Sequence, residues 1–130
     1  MWAALITALA TICVSAGTFF LTKRAERQAV WRSKKLAYYE EFFGAASGIV
    51  GEDTPTEAKV RFATSVNNLH LVGSAGVISA LHGFLDEIAT SNPKPDQDNH
   101  DRRWSLLVWE IRADMDDPPS KEASVFRARL

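Results

Sequence analysis

The sequence predicts an all-α protein with one N-terminal transmembrane helix running into a small antiparallel helical bundle. Three observations lead there. Residues 1–22 carry no charged side chain, later segments repeat apolar residues at helical spacing, and no segment alternates apolar and polar residues as a half-buried strand does. The expected divisions are a transmembrane helix over 1–22, a basic juxtamembrane helical segment over 23–35, a cytoplasmic helical bundle over 36–117 and a C-terminal tail over 118–130.

The apolar segment includes Leu5, Ile6, Leu9, Ile12, Val14, Phe19, Phe20 and Leu21. A helix rises about 1.5 Å per residue, so about 20 such residues span roughly 30 Å, the thickness of a bilayer's hydrocarbon core. A cleaved signal peptide carries its positive charge before the apolar run. Here Lys23, Arg24, Arg27, Arg32, Lys34 and Lys35 follow it, opposed only by Glu26. The segment is therefore expected to persist as an anchor. Positive flanks stay on the cytoplasmic side, which places the N-terminus outside an inner (plasma) membrane and everything after Lys23 inside. The same six cations are candidate contacts for anionic lipid headgroups, at about 1 kcal/mol each near the surface. Because the bilayer already accounts for them, nucleic acid is not expected as a partner.

At about 100° per residue, Ala3, Thr7, Thr11 and Ser15 recur along one side of this helix, opposite Leu5, Leu9, Ile12, Phe19 and Phe20. Small residues at this spacing let helices approach closely in lipid, and they form a candidate ridge for self-association into a homo-oligomer. Small residues are also simply common in membrane helices.

Beyond the basic segment, Ala29, Leu36, Phe43 and Val50 recur every seven residues, with Ala25, Tyr39 and Ala46 between them, which outlines an apolar stripe on a helix continuing from the membrane. Gly44 to Gly48 offers small side chains for close packing or a frayed end. Thr54, Pro55 and Glu57 have the pattern of a capping box with proline at the first helical position. The next helix is expected to bury Ala58, Phe62, Val66 and Leu69 before a break over Gly73–Gly76. Ser74 is expected to cap a third helix carrying Val77, Ile78, Leu81, Phe84, Leu85 and Ile88. Residues 91–100 read as a proline-broken loop in which Asp98 or Asn99 caps a fourth helix, with Trp104, Leu107, Val108, Ile111 and Met115 inward and Pro118 and Pro119 as its stop. Residues 120–130 are expected to be disordered or loosely docked. Apolar stripes of this kind can be buried only against one another.

The order of one span, a basic helix with Tyr38, Tyr39, Glu40, Glu41 and Phe42, a helix leading into Leu69, Leu71, Gly73, Ser74 and Val77, and a last helix closing with Arg112, Ala113, Asp114 and Met115 resembles a class of small bacterial or phage membrane-anchored helical proteins of unassigned function. The resemblance implies topology and origin. It carries no catalytic residue across.

No chemistry-bearing motif emerges. None of His70, His82 and His100 is followed three or four residues on by a histidine or carboxylate, apart from Asp86 after His82, so no metal site is expected. No serine sits in a nucleophile elbow, and Gly73–Gly76 lacks the lysine of a phosphate-binding loop. No catalytic residue and no cofactor is expected. The lone cysteine, Cys13, lies in the span, so an intrachain disulfide is impossible.

Setting aside the basic segment with its six cations and Glu26, nine Lys and Arg remain against fifteen Asp and Glu. Within this acidic domain Glu110, Asp114 and Asp117 share a helix face and form a candidate surface for an unidentified cytoplasmic protein, the alternative being a solvated face. Trp104 and Trp109 point to different faces, so one of them is expected to be partly exposed. The function expected is a single-pass, non-enzymatic interaction or assembly module. The alternative is a sensor-effector whose oligomeric span perturbs the membrane when the bundle meets a ligand or partner.

Overall fold

The computed structural model describes all residues from Met1 to Leu130. It contains four helices and no strand: α1 (Trp2–Ser47), α2 (Thr56–Val72), α3 (Ala75–Ile88) and α4 (Gln97–Asp114). The chain divides into two compact units, Met1–Lys34 and Lys35–Leu130.

The first unit is helical throughout, and each of its residues is exposed. α1 is the one helix long and apolar enough to cross a membrane by length and composition, and the rest of the chain leaves its apolar stretch uncovered. Thr7 Oγ1 donates to the Ala3 carbonyl and Thr11 Oγ1 to the Thr7 carbonyl, each at 2.8 Å. This local back-bonding satisfies polar hydroxyls without any partner outside the helix.

The second unit is organised around a core to which all four helices contribute. Tyr39, Phe42 and Ala46 come from α1, Val66, Leu69 and Val72 from α2, Val77, Ala80, Leu81 and Phe84 from α3, and Trp104, Leu107 and Ile111 from α4. Trp104 ties three of them together. Its ring stacks 6.2 Å from Phe42, meets Phe43 edge-on at 5.5 Å and lies 5.2 Å from Phe84. Each such pair is worth about 0.5–1.5 kcal/mol beyond its buried area. α3 and α4 make the most extensive helix–helix contact, with the Glu110 and Arg103 side chains lying against Gly76 and Gly83.

The apolar stripe of α1 differs from the seven-residue reading. Leu36 and Val50 are exposed, and the buried residues are Tyr39, Phe42, Ala45 and Ala46. The aromatic rings, which bury more area than Leu36, set the rotation of the helix. Thr54 does not cap α2. Its hydroxyl donates to the carbonyls of Gly51 at 3.1 Å and Ile49 at 3.3 Å, bracing the turn in which Gly51 takes a φ of 120°, and Pro55 takes the capping position. The inward residues of α2 include Ser65 and Val72 besides Val66 and Leu69, with Phe62 partly covered.

Ser74 caps α3 as expected, accepting from the Val77 amide at 3.3 Å, so the break after α2 is only Gly73 and Ser74. α4 starts earlier than expected: Asp96, not Asp98 or Asn99, is its cap and accepts from the Asp98 amide. Residues 120–130 form no helix but are specifically docked. The Ser105 hydroxyl accepts from the Ala128 amide at 2.8 Å and faces the Ala128 carbonyl at 3.0 Å, while Trp109 Nε1 donates to the Lys121 carbonyl at 3.0 Å. Trp104 is buried and Trp109 half-buried. No buried side-chain nitrogen or oxygen is left without a hydrogen-bond partner.

Candidate functional site

The three acidic residues expected to share a partner surface have separate roles. Asp114 is turned inward: its Oδ2 accepts from Lys35 Nζ at 2.9 Å and from the Tyr39 hydroxyl, and its side chain is only 10% exposed. Burial, reinforced by this bond to a carboxylate, raises the Tyr39 phenol well above the ordinary tyrosine value. Asp117 belongs to the end of α4. Asp116 adopts a left-handed φ of 58°, the Asp117 amide reaches back to the Arg112 carbonyl at 2.9 Å, and the Arg112 guanidinium donates to both the backbone carbonyl and the carboxylate of Asp117 at 3.0 Å. Glu110 lies against Gly76. The Asp114 carboxylate thus serves the interior of the domain.

The six cations also separate. Lys35 is 14% exposed and paired with Asp114. Lys23 donates to Glu26 at 3.1 Å, while Arg24, Arg27, Arg32 and Lys34 stand on exposed helix surface. Ala3, Thr7, Thr11 and Ser15 are all exposed along α1.

A second charged pair joins α1 to α2: Arg61 meets Glu41 through two bonds of 2.7 and 3.1 Å. The bonded guanidinium holds the Glu41 carboxyl below its ordinary range. Near the start of α4, His100 Nδ1 lies 3.3 Å from Asp101 Oδ1, and this hydrogen bond lowers the Asp101 carboxyl in the same sense.

A histidine pair is the feature that helical spacing concealed. His70 in the last turn of α2 and His82 in the middle of α3 are separated by twelve residues, but the turn at Gly73–Ser74 brings their Nε2 atoms to 2.9 Å, with ring centroids 5.2 Å apart. His70 Nδ1 lies 2.9 Å from the Val66 carbonyl. A carbonyl can only accept, so Nδ1 carries a proton, and in the neutral form of the ring Nε2 is the bare nitrogen that faces His82. The pair is made across a turn, and helical spacing of three or four residues does not mark it.

No three His, Cys, Asp or Glu residues converge on a common point. Surface concavities occur around Asp98, Arg102, Arg127 and Arg129 and around Ile49, Phe84, His100 and Leu130, and each is open to solvent. No protein-family model matches the chain, and neither a curated protein nor a solved structure matches it.

Proposed function

We propose that this protein is a single-pass, membrane-anchored interaction or assembly module without catalytic activity, of bacterial or phage origin. Its N-terminus lies outside an inner membrane and its second unit in the cytoplasm. One observation carries the reading: Leu5, Leu9, Ile12, Val14, Phe19, Phe20 and Leu21 are each more than half exposed, and nothing in the chain covers them. Covering a large apolar side chain is worth about 1.5–3 kcal/mol, so a continuous stretch of them favours lipid over water. The flanking excess of cations supports the orientation, with Lys23, Arg24, Arg27, Arg32 and Lys34 set at anionic headgroups.

In the second unit, the pairing of Gly76 with Glu110 and of Gly83 with Arg103 supports an antiparallel run of α3 and α4 within a helical bundle. The ridge of Ala3, Thr7, Thr11 and Ser15 supports self-association, since the Thr7 and Thr11 hydroxyls are satisfied within α1 and the ridge is small enough for close helix contact.

Carbonate extraction tests the anchor: the chain is expected to stay with the membrane, and release into the supernatant overturns the reading. The mass of the nanodisc-embedded protein, with and without Thr7, Thr11 and Ser15 changed to Leu, tests assembly. A defined oligomer that the triple variant breaks is the expected result, and a monomer in both cases leaves the span a tether. Dye leakage from vesicles carrying the oligomer would replace the module with the sensor-effector.

A further inference from the structure

We propose that His70 and His82 form a two-imidazole surface site for a borderline divalent transition metal such as Zn2+ or Cu2+, with water completing the coordination. Three features of the pair converge on this chemistry. The two Nε2 atoms are 2.9 Å apart. Zn2+ binds imidazole nitrogen at about 2.0–2.1 Å, so two such nitrogens on a tetrahedral ion stand about 3.3 Å apart. A small rotation of either ring opens the pair to that separation.

The second feature is the anchoring of His70. Its Nδ1–H donates to the Val66 carbonyl at 2.9 Å, the backbone support that fixes the tautomer and orientation of a metal-bound histidine. That bond leaves the Nε2 lone pair directed at the place where a metal would sit. With both rings neutral in the metal-free pair, His82 carries its proton on Nε2 and donates to His70. On binding, the proton resides on His82 Nδ1 and the Nε2 lone pair is released to the ion.

The third feature is access. Both residues are exposed, so the ion reaches the nitrogens without unfolding anything, and water can occupy the remaining positions. Because no third protein ligand joins them, this is an open site rather than an enclosed structural one, and the hard ion Mg2+, which prefers oxygen ligands, is not held. A bound metal links the end of α2 to α3 across the two-residue connection Gly73–Ser74.

Titration calorimetry on the full-length chain in nanodiscs, with ZnCl2, CuCl2 and MgCl2 in turn, tests the site. The expected result is one Zn2+ or Cu2+ per chain, Cu2+ tighter than Zn2+, no heat from Mg2+, and loss of about tenfold or more in affinity in both H70Q and H82Q. His100→Gln, which alters the remaining histidine, half-buried beside a carboxylate, is expected to leave binding unchanged. Imidazole 15N spectra read the ligands directly: Zn2+ should move the Nε2 signals of His70 and His82 together. Absence of Zn2+ and Cu2+ binding, or equal affinity in H70Q and H82Q with helicity intact, overturns the proposal, as does loss of binding in H100Q alone.

Discussion

Lys35 Nζ lies 2.9 Å from Asp114 Oδ2, joining two side chains 79 residues apart that are only 14% and 10% exposed. The same oxygen receives the Tyr39 hydroxyl, so one carboxylate satisfies a cation and a phenol. Asp114→Ala leaves both donors facing a nearly closed space and is expected to lower the unfolding free energy by about 3 kcal/mol. Replacing all three groups by apolar ones, K35M/Y39F/D114L, is expected to fall within about 1 kcal/mol of wild type. Urea unfolding followed by circular dichroism measures both. A D114A loss no larger than that of the triple variant would remove the triad as a stabilising unit.

The pH response follows from two shifts of opposite sign. The Tyr39 phenol is raised in the folded state, so its contribution is complete below the ordinary tyrosine value of about 10 and is lost as pH climbs from there toward the folded value. The Glu41 carboxyl is lowered, so its contribution is present above the ordinary carboxylate range and is lost as pH falls through the folded value. Thermal midpoints measured across pH are expected to fall less steeply at the alkaline end in Y39F and at the acid end in E41Q. Parallel curves for wild type and variants would contradict these assignments.

Gly73 and Gly76 respond differently to alanine. A Cβ at Gly73 would stand 2.9 Å from the Leu69 carbonyl oxygen and 3.1 Å from Val77 Cγ1, and the backbone atom cannot step aside. At Gly76 the obstacle is the end of the Glu110 side chain, which can swing away. G73A is expected to cost about 1–3 kcal/mol. G76A is expected to be nearly neutral, because alanine's helix preference of about 1 kcal/mol offsets the adjustment. Equal losses in a thermal melt would contradict the distinction.

Ser105 holds the C-terminal segment. Its buried hydroxyl accepts from the Ala128 amide, while the Asp101 carbonyl is the nearer acceptor for its proton, and S105A is expected to cost about 1–2 kcal/mol. Limited proteolysis should then cut within residues 120–130 while α4 stays protected. An unchanged cleavage pattern would mean that the docking depends on Phe126 and Trp109 instead.

The helical class, the cap at Ser74 and the inward faces of α3 and α4 were legible because clean helical spacing and a local cap need no tertiary information. The rotation of α1 was not: Leu36 and Tyr39 both fit an apolar stripe, and only packing against Trp104 and Asp114 chooses Tyr39 and Phe42. Asp114 read as part of an acidic surface because its partners lie 75 and 79 residues away. The His70–His82 pair was hidden for a related reason, since a turn and not a helical repeat brings it together. The docking of residues 120–130 rests on a serine whose interior position no hydropathy pattern marks.

Lys35 has two successive electrostatic environments during the life of the chain. Asp114 follows it by 79 residues, so at about 5–20 residues per second the ribosome delivers the carboxylate about 4–16 seconds after the lysine. Throughout that interval Lys35 is a cation without its folded-state carboxylate partner. Once α4 has been made, the same charge is withdrawn from the surface and becomes a fixed point of the folded domain. A Lys35 variant thus alters the charge of the chain before the pair can form as well as the stability of the pair itself, while an Asp114 variant touches only the second.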